Sequence, residues 1–139
     1  MGRIAAIDYG LKRIGLAVSD ASRRLALPVG MVPGGKKAIQ NIQSALPLKE
    51  IGLIVIGLPL EMSGKKGAMA SMVEEFAHLL EEALHIPVQL LDERLSTKLA
   101  HVKLKELHLN RKAREKKLDM IAATLLLQTY LDQRSSQST

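Results

Sequence analysis

RIAAIDYGLKRIGLAVS, residues 3–19, consists of two short apolar runs around a four-residue connection, Tyr9-Gly10-Leu11-Lys12. RIAAID and RIGLAVS are each strand length and rich in Ile, Val and Ala, so the stretch predicts a hairpin of adjacent antiparallel strands. The polar turn Asp20 to Arg24 then leads into a third apolar run, Leu25 to Met31. Three strands in immediate succession predict a meander.

Beyond Pro33-Gly34-Gly35 the pattern changes. KKAIQNIQSAL, residues 36–46, carries its apolar residues at helical spacing, and IGLIVIG, residues 51–57, is the near-continuous run of a strand buried on both faces. A loop from Glu61 to Gly67 follows, then an amphipathic helix, Ala68 to Leu84, with Met69, Met72, Val73, Phe76 and Leu80 along one stripe. Pro87 turns the chain into the strand VQLLD. Ser96 is placed to cap a helix over TKLAHVKLKEL, and a charged connection, Asn110 to Lys117, leads to a last helix from Leu118 to about Leu131. The β-α-β alternation adds parallel strands beside the first strand through right-handed crossovers. The expectation is an α/β domain over residues 1–133, a five-stranded mixed sheet flanked by helices, with 134–139 as a disordered tail.

The chain has 139 residues, 47% of them hydrophobic, which suffices for one packed core. It has no cysteine, which excludes a disulfide framework or a thiolate zinc site. The opening MGRIAAIDYG is neither a signal peptide nor a membrane span, so the cytoplasm is the expected compartment. A net charge of +6 favours a polyanionic partner, because Lys and Arg displace condensed counterions from phosphates. With aromatic residues at 2%, binding to nucleic acid would rest on backbone charge and shape, not on base stacking.

Three acidic positions stand at ends of elements. Asp8 closes the first strand, Asp92-Glu93 follow VQLL, and Asp119 stands near the start of the last helix. Each has an ordinary structural use: an Asp-x-Gly turn, a surface ion pair with Arg94, or a favourable charge near a helix N-terminus. If the first and fifth strands run parallel in one sheet, however, Asp8 and one of the pair Asp92 or Glu93 emerge on the same edge. Carboxylates gathered there repel one another unless a divalent cation joins them, and hard oxygen ligands suit Mg²⁺ or Mn²⁺. Such a site suits phosphodiester hydrolysis by a two-metal route.

GLPLEMSGKKG, residues 57–67, places Gly57, Gly64 and Gly67 with Lys65 and Lys66 ahead of a helix, a pattern able to meet phosphate through backbone N–H groups and two ammonium ions. It lacks the Gly-Lys-Ser/Thr ending of a P-loop, and a solvated connection accounts for it equally well. RKAREKK, residues 111–117, reads as a solvated loop or a nucleic-acid contact. His78, His85, His101 and His108 show no metal-ligand spacing.

IDYGLKRIGLAVSD, GLPLEMSGKKG, LLDERLST and KKLDMIAATLLLQ, in that order and spacing, resemble the YqgF family, also called RuvX, from about Arg3 to Gln133. The resemblance implies a ribonuclease H-like fold related to the RuvC resolvases. It also implies a nuclease that processes the 16S ribosomal RNA precursor in the bacterial cytoplasm. By motif, the metal-binding and catalytic acids fall on Asp8, Glu93 and Asp119, with Asp92 as the substitute for the second. Lys12, Arg13 and Arg94 become bases supporting substrate or site, beside Lys65 and Lys66. Ser63 and Met120 depart from the residues frequent at those family positions.

Two rival functions stay open. One is a Holliday-junction resolvase, the same chemistry on branched DNA, which would favour a homodimer over a monomer. The other is a non-catalytic RNA-binding or transcription-associated factor, against which the three retained acids speak. An actin-like ATPase hairpin at DYGLKRIG ranks last, because such proteins close two domains around a nucleotide.

Overall fold

The computed structural model describes residues 2–94 and 110–137; in the last helix, the side chains of 114–116, 119, 120, 136 and 137 are outside that description. The expected helix after Ser96, with His101 and His108, lies outside the described residues.

The strands are β1 (Arg3–Asp8), β2 (Arg13–Ser19), β3 (Ala26–Pro33), β4 (Ile51–Leu58) and β5 (Val88–Asp92). They form one sheet in the order β3-β2-β1-β4-β5. β1 pairs antiparallel with β2 and parallel with β4, β2 pairs antiparallel with β3, and β4 pairs parallel with β5. The helices are α1 (Ala38–Ala45), entered through a 3-10 turn at Gly35–Lys37, then α2 (Ala68–Leu84) and α3 (Arg111–Gln137).

Alternation along the central strands sorts the core into two layers. Ala5 and Ile7 of β1 and Ile54 and Ile56 of β4 pack with Ile42 of α1 and Val73, Phe76 and Leu80 of α2. Ile4 and Ala6 of β1, Ala17 of β2 and Val55 of β4 face Ala123, Leu126, Leu127 and Leu131 of α3. Both faces are covered, which is why β1 and β4 read as continuous apolar runs. β3 stands at the edge and is largely exposed, with Pro28 and Pro33 in it. Proline lacks the N–H that a neighbouring strand would need, so it discourages further pairing at such an edge.

Local chemistry fixes the connections. A Cβ on Gly10 would run into the Arg13 carbonyl oxygen, so the tight β1–β2 connection requires glycine. Tyr9 stacks on Phe76 with ring centroids 4.3 Å apart, holding this connection to α2. In the next turn, Asp20 Oδ1 accepts the backbone N–H groups of Arg24 (2.9 Å) and Leu25 (3.0 Å), and Oδ2 accepts the Ser22 hydroxyl (2.6 Å). These bonds hold the Asp20 carboxyl down at about 2. At the C-terminus of α2, His85 adopts a left-handed conformation and donates its N–H to the Glu81 carbonyl at 2.9 Å.

The last helix differs from its sequence reading. It starts at Arg111, within the charged run expected as a connection, and continues through the expected tail as far as Gln137. Asn110 caps its N-terminus, the side-chain oxygen accepting the Ala113 N–H at 2.8 Å. Arg, Lys, Glu and Ala are strong helix formers, so the run extends the helix once that cap is in place. Gln128 ties α3 to the sheet edge, accepting the Ala26 N–H (2.9 Å) and donating to the Arg24 carbonyl (3.0 Å). Among the described residues, no helix is long and apolar enough to cross a membrane.

Candidate active site

β1, β4 and β5 run parallel, so their C-terminal ends, at Asp8, Leu58 and Asp92, lie along one edge of the sheet. The register aligns Ile7 with Ile56 and Leu58 with Asp92, which sets Asp8 and Glu93 on either side of the end of β4. Two strand spacings separate β1 from β5, about 10 Å. Asp8 belongs to the face of β1 that carries Ile4 and Ala6, the face covered by α3.

The residue of β4 that lies between the two acids is Gly57. A Cβ built on Gly57 would collide with Glu93 Oε2 and would lie 3.2 Å from Leu126 Cδ2 and 3.4 Å from Glu93 Cβ. The Glu93 side chain therefore lies flat over the β4 backbone, under α3, in space that any other residue at 57 would fill. Its backbone N–H points to the Leu58 carbonyl at 3.4 Å, continuing the β4–β5 pairing one residue past the strand.

Electrostatics separates Glu93 from its neighbour. Burial, and after it the negative charges of Asp8 and Asp92, push the Glu93 carboxyl up to about 7. Asp92 is exposed, and its carboxyl is lowered, chiefly by hydrogen bonds from the Arg94 side chain. Arg94 Nη2 donates to Asp92 Oδ2 at 2.6 Å, and Nε lies 3.0 Å from both carboxylate oxygens. Of the adjacent acids, one is thus engaged by a guanidinium and the other is turned in toward Asp8.

Arg94 reaches further. Its Nη1 donates to the carbonyls of Met62 (3.1 Å) and Glu61 (3.4 Å), fastening the β4–α2 loop to the end of β5. Within that loop Glu61 N–H bonds to the Lys65 carbonyl (3.0 Å) and Gly64 N–H to the Glu61 carbonyl (2.8 Å), with Gly64 at a φ of 88°. Lys65 and Lys66 are exposed on it, and Lys66 Nζ pairs with Glu74 Oε2 at 3.0 Å. Lys12 and Arg13 are exposed on the β1–β2 connection, at the same end of the sheet as Asp8.

The backbone of Asp119 lies in α3, four and seven residues before Ala123 and Leu126, the spacing of one helix stripe. Its side chain is outside the described residues. Among the described residues, no group of three or more metal-ligating side chains is gathered. His78 is exposed and pairs with Glu82 at 3.1 Å, and His85 serves as the helix cap.

The sequence reading missed the part Gly57 plays beneath Glu93 and the hold of Arg94 on the loop. The first had a signal, a lone glycine inside an apolar strand run, which marks a close approach by another group. The second had none, because a carbonyl partner more than thirty residues away leaves no local pattern.

A sheet ordered 3-2-1-4-5, with a meander on one side and parallel additions on the other, is a ribonuclease H-like sheet, and the family and relatives that the chain matches make it a nuclease on that fold. It belongs to the RuvX family: the family model described as "RuvX: Holliday junction resolvase" matches residues 2–133. A Protochlamydia amoebophila protein named "Putative pre-16S rRNA nuclease" is 44% identical over 141 residues, covering 95% of this chain and 94% of its own. A protein of the same name from Syntrophomonas wolfei is 44% identical over 132 residues, covering 94% of each chain. In structure, a fowlpox virus resolvase solved with Holliday junction DNA aligns with a TM-score of 0.50 at 11% identity, over 98% of this chain and 97% of that one. That last likeness is one of fold.

Proposed function

We propose that this chain hydrolyses phosphodiester bonds in precursor 16S ribosomal RNA, in the cytoplasm, at the sheet edge carrying Asp8 and Glu93. The observation that carries the reading is the convergence of these two carboxylates across Gly57, with Glu93 pushed up to about 7 by burial and by its acidic neighbours. Hard carboxylate oxygens held together against their own repulsion suit a divalent cation, Mg²⁺ or Mn²⁺, and the bare cradle over Gly57 keeps one of them in place. Asp119 is the third ligand of this reading, supplied by α3. When bound, the metal supplies Lewis acidity and a water of lowered pKa.

The chain's own residues do the rest. Asp8 and Glu93 hold their oxygens at fixed positions on a rigid edge, and Asp92 keeps Arg94 locked to the loop, so Lys65 and Lys66 stand at that edge with Lys12 and Arg13. Exposed ammonium and guanidinium groups there meet the phosphate backbone and orient the scissile bond. The relatives' names favour an RNA precursor as substrate. A second reading, a resolvase acting on branched DNA, is favoured by the description of the family model, and it would call for a homodimer.

Competition between the two substrates tests the choice. Labelled 16S precursor RNA and a labelled four-way DNA junction are offered together with Mg²⁺ or Mn²⁺. Preferential cutting of the RNA is the expected result, and preferential cutting of the junction would replace it with the resolvase reading.

A further inference from the structure

We propose that Gly57 is the positioning residue of the acidic edge: the missing side chain at this point of β4 is the slot through which Glu93 reaches across the strand toward Asp8. The proposal rests on the reading of that edge as a metal site and assigns a role to a residue that touches neither metal nor substrate. Gly57 is buried in a central strand, where a glycine loosens the backbone and forgoes the packing an alanine would give. Its backbone does not call for glycine. The glycines with left-handed φ among the described residues are Gly30, Gly35 and Gly64, and Gly57 is not one of them.

What calls for glycine is space. Parity with Val55 directs position 57 to the α3 face, where Glu93 Oε2 and Leu126 Cδ2 already lie against it. Of these, Leu126 is the end of a flexible side chain and can give by a few tenths of an ångström. Glu93 has to give much further, because a methyl group at 57 would overlap its carboxylate oxygen, and that shift carries the carboxylate off its present place over the strand. A side chain at 57 therefore displaces the Glu93 carboxylate relative to Asp8 while leaving the strand order intact.

The test is Mn²⁺ binding by the full-length protein, measured by titration calorimetry for wild type, Gly57→Ala, Glu93→Ala and the double variant, with thermal melting of each. The expected result is a loss of roughly tenfold or more in Mn²⁺ affinity for Gly57→Ala, the size typical of losing support around a metal ligand. In the Glu93→Ala background the same substitution should leave affinity unchanged and should not lower the melting temperature. Wild-type affinity in Gly57→Ala, or an equal loss in both backgrounds, would overturn the proposal. If Gly57→Ala does not fold, the double variant decides: folding there shows that Glu93 was the obstacle, and failure there shows that it was not. If wild type binds no Mn²⁺, the metal-site reading fails, and the melting temperatures of the four proteins still report whether positions 57 and 93 are coupled.

Discussion

Replacing Glu93 by glutamine removes a charge that the fold holds at a disadvantage, so the variant should be more stable than the natural protein in the absence of metal. The Glu93 carboxyl stands at about 7 in the folded chain against 4.5 ordinarily. With a folded value above the unfolded one, stability is greatest below the unfolded value and falls as pH rises from there through about 7. At about 1.4 kcal/mol for each pH unit of separation, the ceiling above neutrality is about 3 kcal/mol. The side chain keeps some access to solvent and salt, which lowers the effective figure to about 1–2 kcal/mol. For a chain of this length that is a rise in Tm of roughly 3–8 °C.

The assay is thermal unfolding of both proteins in chelator, near pH 8 and near pH 5. The glutamine variant should melt higher at the first pH, and the gain should shrink toward zero at the second, where the natural side chain is protonated. Adding Mg²⁺ should then stabilise the natural protein and not the variant, because only the former gains a ligand that binds its folded state. An equal or lower Tm for the variant at the higher pH would show that the fold does not penalise the Glu93 charge, as would a gain of the same size at both.

Other consequences are as direct. Replacing Lys65 and Lys66 together by alanine should weaken RNA binding and make its dependence on log salt shallower by about 0.7 for each phosphate no longer neutralised; filter binding at several salt concentrations measures it. Arg94→Gln frees the β4–α2 loop from Asp92 and from its own carbonyl clamp. With the clamp worth about 1 kcal/mol, KM should rise about fivefold while kcat falls less, and a fall confined to kcat would contradict a loop-positioning role. Gln128→Ala leaves the Ala26 N–H without its 2.9 Å partner and should cost about 1–3 kcal/mol in urea unfolding.

Much of this was legible in the order of apolar runs. RIAAID and RIGLAVS announce their pairing because the four residues between them leave no room for anything but a hairpin, and IGLIVIG announces a strand covered on both faces. Parallel placement of β1 and β5 followed from the alternation, and with it the meeting of Asp8 with the Asp92-Glu93 pair. Which of that pair turns inward was not legible by period, since adjacent residues past a strand end are equally free to do so. The choice depends on Arg94 engaging Asp92 and on bare backbone at Gly57, both set by tertiary contacts. The charged run at 111–117 misled for a related reason. Its residues favour helix and water alike, and the Asn110 cap and the packing of α3 on the sheet decide between them.

The decisive measurement is cleavage of labelled precursor RNA by the purified protein and by Asp8→Asn, with Mg²⁺, with Mn²⁺ and with chelator. The natural protein should cut only when a divalent cation is present, and the variant, its fold retained, should lose about a hundredfold or more. Cutting in chelator, or a variant as active as the natural protein, would contradict metal-dependent cleavage at Asp8.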